Sequence, residues 1–145
     1  MNAPADPDFA QRIRASFARQ KAMALIGASL ARVAPGVVEI ALPFRDDLTQ
    51  QKGFVHGGII GMIADTACGY AAYSLMPADC SLVTVEYKMN ILAPGRGALI
   101  ARGEVVKAGR TLTATRGEVY AQDGTQIALM QQTLMMLAGR PDHPE

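Results

Sequence analysis

One carboxylate set in a long apolar run dominates the chemistry open to this chain. Residues 53–76 read GFVHGGIIGMIADTACGYAAYSLM, and Asp65 is the only acidic residue among them. An unpaired ionised carboxylate in an apolar setting costs several kcal/mol or more, so something must compensate it or use it. Eight positions earlier, His56, Gly57 and Gly58 open the run. A helix N-terminus carries unpaired N–H groups and about half a positive charge, which suits it to polarise a carbonyl or stabilise an oxyanion. Gly57 and Gly58 let a ligand reach those N–H groups with no Cβ in the way. At a rise of about 1.5 Å per residue, however, Gly57 and Asp65 lie about 12 Å apart along one helix and cannot both touch one carbonyl. Two copies of the helix, antiparallel across a two-fold axis, remove the difficulty, because the first turn of one then approaches the middle of the other. The expectation is a homodimer with paired composite sites.

The element that positions Asp65 is a helix spanning about residues 57–75. On a helical wheel Gly57, Gly58, Gly61, Ala64, Cys68, Gly69, Ala71 and Ala72 take one side, and Ile59, Met62, Ile63, Tyr70 and Tyr73 the other. Asp65 lies on the small side, bordered by Gly58, Gly61, Gly69 and Ala72. Glycine inside a helix costs about 0.5 to 1 kcal/mol against alanine, so several together imply close approach of a ligand or another backbone. The structural alternative is a carboxylate held by backbone donors, with glycines that only permit tight packing.

Around this helix the chain predicts a leader at residues 1–7, a single domain at 8–137 and a tail at 138–145. Asp8 is placed to cap an amphipathic cover helix with its stripe at Phe9, Ile13 and Phe17, ending near Gly27. Strands follow at 28–34 and 37–44 about a Pro35-Gly36 turn, then a polar loop from Arg45 to Val55. Beyond the helix, Val/Thr/Ile-rich segments at 81–92, 97–107, 111–121 and 125–137 are separated by turn residues. This order predicts an α+β architecture, an antiparallel sheet packed on one buried helix.

The 145 residues carry a net charge of +1, with 50% hydrophobic and 19% charged, and no basic run suited to nucleic acid. Cys68 and Cys80 match no metal-ligand spacing and read as small buried thiols, so no metal is expected. No secretory leader or membrane span is indicated, which fits a cytoplasmic protein. Neither a G-x-S-x-G nor an H-E-x-x-H motif is present.

GFVHGG followed by ADTA, then VTVEYKMNILAPG and KAGRT, resembles the hotdog-fold acyl-CoA thioesterases, most closely the PaaI-like branch of phenylacetic acid degradation, over roughly residues 25–137. The resemblance implies a central helix wrapped by an antiparallel sheet, dimers formed by joining sheets, and tetramers as dimers of dimers. It implies that Asp65 acts as nucleophile or general base, that the Gly57 N–H polarises the thioester carbonyl, and that His56 shapes the turn. Gln50 falls where many relatives have Asn, a change that adds one methylene, and Thr84 falls where relatives have Ser or Thr. Gln50, His56 and Gly57 would come from one subunit, Asp65 and Thr84 from the other. Strand alternation groups Thr84 with Glu86, Lys88 and Asn90, opposite Val83, Val85, Tyr87 and Met89.

The implied substrate is an aryl or medium-chain acyl-CoA, with coenzyme A as part of the substrate and no separate cofactor. Gly58 and Tyr73 are candidates to contact it, with Ile59, Met62, Tyr70 and Met76 as further pocket candidates. Among Lys88, Arg96, Arg102, Lys107 and Arg110, the turn position favours Arg110 for the CoA phosphates. Two other readings stand beside hydrolysis: a hotdog hydratase or dehydratase using His56 with an acidic residue, and a non-catalytic acyl-CoA-binding dimer.

Overall fold

A computed structural model describes residues 3–142; the first two residues of the expected leader and residues 143–145 of the tail lie outside the described residues. The order is α1 (Phe9–Ala18), α2 (Lys21–Ile26), β1 (Ser29–Ala34), β2 (Val37–Leu42), a 3-10 turn (Asp46–Leu48), α3 (Gly57–Tyr73), β3 (Cys80–Ile91), β4 (Leu99–Ala108), β5 (Leu112–Ala121) and β6 (Gln126–Ala138). The six strands form one sheet in the order β1-β2-β4-β5-β6-β3, antiparallel throughout. The sheet packs on α3, as the alternation of one long helix and turn-separated strands requires.

The expected cover helix is two helices. Gly27 ends the segment as expected, in the left-handed region with φ 75°. The chain turns earlier, however, at Arg19 and Gln20, where Gln20 is extended with ψ 94°. No glycine or proline marks this break; tertiary contacts impose it, since the turn sends Met23 and Ile26 into the core and lets Gln20 Nε2 donate to Tyr70 Oη at 3.0 Å. The Asp8 side chain also makes no cap bond. Its backbone N–H instead donates to Asp6 Oδ1 at 2.9 Å, and Asp6 pairs with Arg12 at 3.0 Å. Arg12 pins α1 across the end of α3: its guanidinium donates to the carbonyls of Tyr73, Met76 and Pro77 and lies 4.2 Å from the Tyr73 ring centroid.

The inner face of α3, including Ile60, Ile63, Ala64, Ala67, Cys68 and Ala71, is buried. Close approach of helix and sheet rests on strand glycines rather than on those of the helix. A Cβ built on Gly103 would stand 2.3 Å from the Ala67 carbonyl carbon and 2.4 Å from Cys68 N, and one on Gly117 would stand 2.9 Å from Cys68 Sγ. Gly103 and Gly117 are register partners on β4 and β5, so together they open a trough for the helix backbone. Gly61 and Gly69 of α3 instead face side chains of the edge strand β3 and of β6, namely Tyr87, Met89, Leu82 and Leu134. Overpacking a filled core typically costs about 1 to 3 kcal/mol. Gly103→Ala is therefore expected to lower stability by about 3 kcal/mol, the upper end of that range, because its neighbour is backbone. Denaturant unfolding checks this, and an unchanged midpoint would show that α3 can lift off the sheet.

No helix among the described residues is long and apolar enough to cross a membrane.

Candidate active site

Asp65 sits half-buried in the middle of α3, one turn from Gly61 on one side and Gly69 on the other. Two side chains reach it. Thr84 Oγ1 donates to Asp65 Oδ1 at 2.8 Å, and Gln132 Nε2 donates to the same oxygen. Gln132 Nε2 also lies 3.0 Å from Thr84 Oγ1, closing a three-member network. Asp65 Oδ2 receives no hydrogen bond from any described residue.

A β-bulge places Thr84. The β3–β6 register slips between Thr84 and Glu86, leaving Val85 as the extra residue. Side-chain parity therefore changes at that point, as a bulge allows. Thr84 shares the helix-facing side with Leu82 before the bulge and with Tyr87 and Met89 after it, both of which approach Gly61. The expected grouping of Thr84 with Glu86, Lys88 and Asn90 is thus corrected: unbroken alternation does not hold across residue 85.

Gln132 was not legible as a site residue from motif or resemblance, although a signal existed. Met130, Gln132 and Leu134 alternate along β6 and are all buried, so a period-two count places a glutamine amide on the core face.

Beside Asp65 lies a cavity of about 310 Å³. Met62, Gly69, Tyr70, Tyr73 and Leu82 line it with Asp65 and Thr84, and α1 and α2 contribute Ser16, Gln20 and Met23. The predicted contact residue Tyr73 is thus in the wall, with Tyr70 and Met62; Met76 faces a different recess, and Ile59 lines neither. Tyr70 Oη meets Ser16 Oγ and Gln20 Nε2, each at 3.0 Å, and Ser16 also reaches Asp142. Burial pushes the Tyr70 and Tyr73 phenols above their ordinary range, opposed for Tyr73 by the Arg12 charge. Burial likewise pushes the Cys68 thiol up to about 12, which makes it an inert core group.

At the start of α3, His56 is the N-cap and its Nδ1 accepts the Gly58 N–H at 2.8 Å. That bond assigns the ring proton to Nε2. The expectation that both glycines present free N–H groups narrows to Gly57, whose N–H has no partner among the described residues. A Cβ on Gly57 would meet nothing within 4 Å, whereas one on Gly58 would stand 3.1 Å from His56 Nδ1. Gly58 thus serves the cap. The Gln50 side-chain oxygen accepts the Lys52 N–H and its backbone pairs with Phe54 and Gly53, so its amide oxygen closes its own turn. Arg110 is exposed in the β4–β5 turn beside a small recess lined by Ala72, Met76 and Thr113, and does not line the Asp65 cavity.

One helix therefore carries two separate features, Asp65 with Thr84, Gln132 and the cavity, and Gly57 with its cap. The sequence model of the thioesterase superfamily matches residues 52–128. The chain belongs to the thioesterase superfamily. Its architecture is the hotdog fold. A solved thioesterase family protein from Silicibacter pomeroyi is 48% identical, with a TM-score of 0.87 and coverage of 90% of this chain and 99% of that one. The E. coli PaaI protein, from the phenylacetic acid degradation operon, is 20% identical with a TM-score of 0.85 over 92% of this chain and 96% of its own, and shares the fold. A curated protein of Halobacterium salinarum, named as a candidate esterase, is 33% identical over 95 residues, covering 62% of this chain and 63% of that one. The match thus spans just under two thirds of that curated relative's length. Within this thioesterase superfamily member, Gln132 and the cavity wall from α1 and α2 lie outside the matched segment.

Proposed function

We propose that this protein hydrolyses acyl-CoA thioesters to free acid and coenzyme A, at composite sites in a homodimer. The observation that carries the proposal is a carboxylate with one oxygen held and the other open, at the rim of a cavity of mixed polar and apolar lining, about 12 Å along one helix from a Gly57 N–H without a partner among the described residues. The edge strand supplies the means of joining. β3 has 12 residues, no neighbour on its outer side, and exposed apolar residues at Val83 (40%), Val85 (55%), Tyr87 (48%) and Ile91 (47%). A long apolar edge of this kind seeks pairing, and antiparallel pairing of two β3 edges sets the two α3 helices side by side in opposite senses.

In such a dimer the Gly57 N–H of one protomer donates to the thioester carbonyl oxygen while Asp65 of the other acts at the carbonyl carbon. Asp65 either attacks directly, giving a mixed anhydride that water then hydrolyses to the free acid and the regenerated carboxylate, or takes a proton from water that attacks. Overall a C–O bond forms, the C–S bond breaks, and the CoA thiolate leaves and is protonated. The cavity of about 310 Å³, walled by Met62, Tyr70, Tyr73 and Leu82, suits an aryl or medium-chain acyl group. For the CoA phosphates, Arg102 is taken by Glu39 and Glu104, whereas Arg96 stacks 4.4 Å from the Phe54 ring beside the His56 turn and Arg110 stands exposed. No cofactor is required, because CoA arrives with the substrate.

Hydration of an enoyl-CoA would need His56 as an acid or base, and with Nδ1 committed to the cap only Nε2 is left for that chemistry. A CoA-thiol release assay across aryl, short, medium and long acyl-CoAs tests reaction and substrate class together. Steady release from phenylacetyl-CoA or a medium-chain substrate is expected; binding without release from any of them would leave the acyl-CoA-binding dimer instead. Sedimentation of the same preparation is expected to show a dimer or a dimer of dimers.

A further inference from the structure

We propose that Gln132 is a positioning residue for Asp65: with Thr84 it ties down one carboxylate oxygen and so presents the other to the reacting centre. The inference rests on the thioesterase reading above and concerns a residue beyond the segment that the superfamily model matches.

Gln132 is 1% exposed, in the middle of β6 between Met130 and Leu134. Its Nε2 donates to both Asp65 Oδ1 and Thr84 Oγ1. Its Oε1, in contrast, is buried and has no hydrogen-bond partner among the described residues. Turning the amide over would set that oxygen against a carboxylate, which only accepts, so the orientation is fixed by Asp65. A buried acceptor without a partner is a penalty that an apolar side chain would not carry. Packing therefore favours Met or Leu at this position, and the amide is explained by what its N–H groups do. Thr84 receives from Gln132 and donates to Asp65, so the hydroxyl is polarised toward the carboxylate. Two donors converge on Oδ1 and none among the described residues on Oδ2. This fixes the carboxylate rotamer and leaves Oδ2 free for water or the carbonyl carbon.

The titratable groups that line the cavity or pack beside Asp65 are Cys68, Tyr70 and Tyr73 on α3, Tyr87 on β3, and Asp142 beyond α1. The thiol and the Tyr70 and Tyr73 phenols are pushed up by burial. Asp142 is held by Ser16 and Arg19 and shares no hydrogen bond with Gln132.

The test is steady-state hydrolysis by Gln132→Met, which keeps chain length but donates nothing, and by Gln132→Asn, which keeps an amide but withdraws it by one methylene. Asp65→Asn is measured in parallel. Expected for both Gln132 variants is a 10- to 100-fold fall in kcat with KM within about threefold. The Asn variant supplies the result if the Met variant does not fold. An inactive Asp65→Asn together with wild-type kcat in a folded Gln132 variant overturns this inference alone. An Asp65→Asn enzyme that turns over like wild type overturns the underlying reading as well.

Discussion

Replacing Asp65 by Asn is expected to lower kcat by about three orders of magnitude while leaving the fold and the oligomer intact, because it removes the only carboxylate in α3 and nothing else of size or shape. The amide oxygen of Asn can still accept from Thr84 and Gln132 at the place where Oδ1 now does so. The group at the Oδ2 position becomes an NH2, which neither attacks a carbonyl nor takes a proton from water. Asp65→Ala is expected to be as inactive but less stable, since one buried Gln132 N–H then loses its acceptor, at a cost of about 1 to 3 kcal/mol. CoA-thiol release and thermal unfolding, measured on both variants, separate the two effects. Turnover close to wild type in Asp65→Asn would refute the carboxylate mechanism.

The parts of the site that could be read in the sequence are those fixed by local spacing. His56 caps the helix that carries Gly57 and Asp65, and helical rise alone sets those two about 12 Å apart. The sheet order, by contrast, is set by long-range pairing, and the residues that pairing delivers were harder to see. Thr84 was found through family resemblance, while alternation gave it the wrong companions because a bulge at Val85 leaves no mark in composition. Gln132 comes from the last strand and reaches Asp65 only once β6 lies beside β3. The small residues of α3 suggested where backbones approach, yet that approach rests on Gly103 and Gly117, two strand glycines whose meaning depends on their being register partners under the helix. The break at Arg19 and Gln20 has the same origin, since local propensity favours one continuous helix and the contact with Tyr70 ends it.

Gly57→Pro is expected to lower kcat by 100- to 1000-fold, the usual effect of deleting one oxyanion donor, with stability close to wild type. Three features make this substitution selective. Gly57 is the first helical residue, where proline is tolerated because the N–H it lacks has no intrahelical acceptor. His56 before it already has φ −59° and ψ 137°, the extended conformation that a residue preceding proline prefers. Added side-chain atoms also find room, as a Cβ there meets nothing within 4 Å. Gly57→Ala retains the N–H and occupies the same open space, so it is expected to keep kcat within a few-fold; equal losses in both variants would point to crowding of the substrate instead of the missing N–H. The pair of inactive variants then tests the composite site. In a dimer formed from one Gly57→Pro chain and one Asp65→Asn chain, both defects fall in the same site, and the other site has a native N–H and a native carboxylate. Random reassortment makes half the dimers mixed, each with one intact site of two, so the mixture should recover about a quarter of wild-type activity, from parents that are each nearly inactive. If activity after reassortment stays at the level of the parents, the N–H and the carboxylate of each site belong to one chain, and the two-fold arrangement drawn from their spacing is wrong.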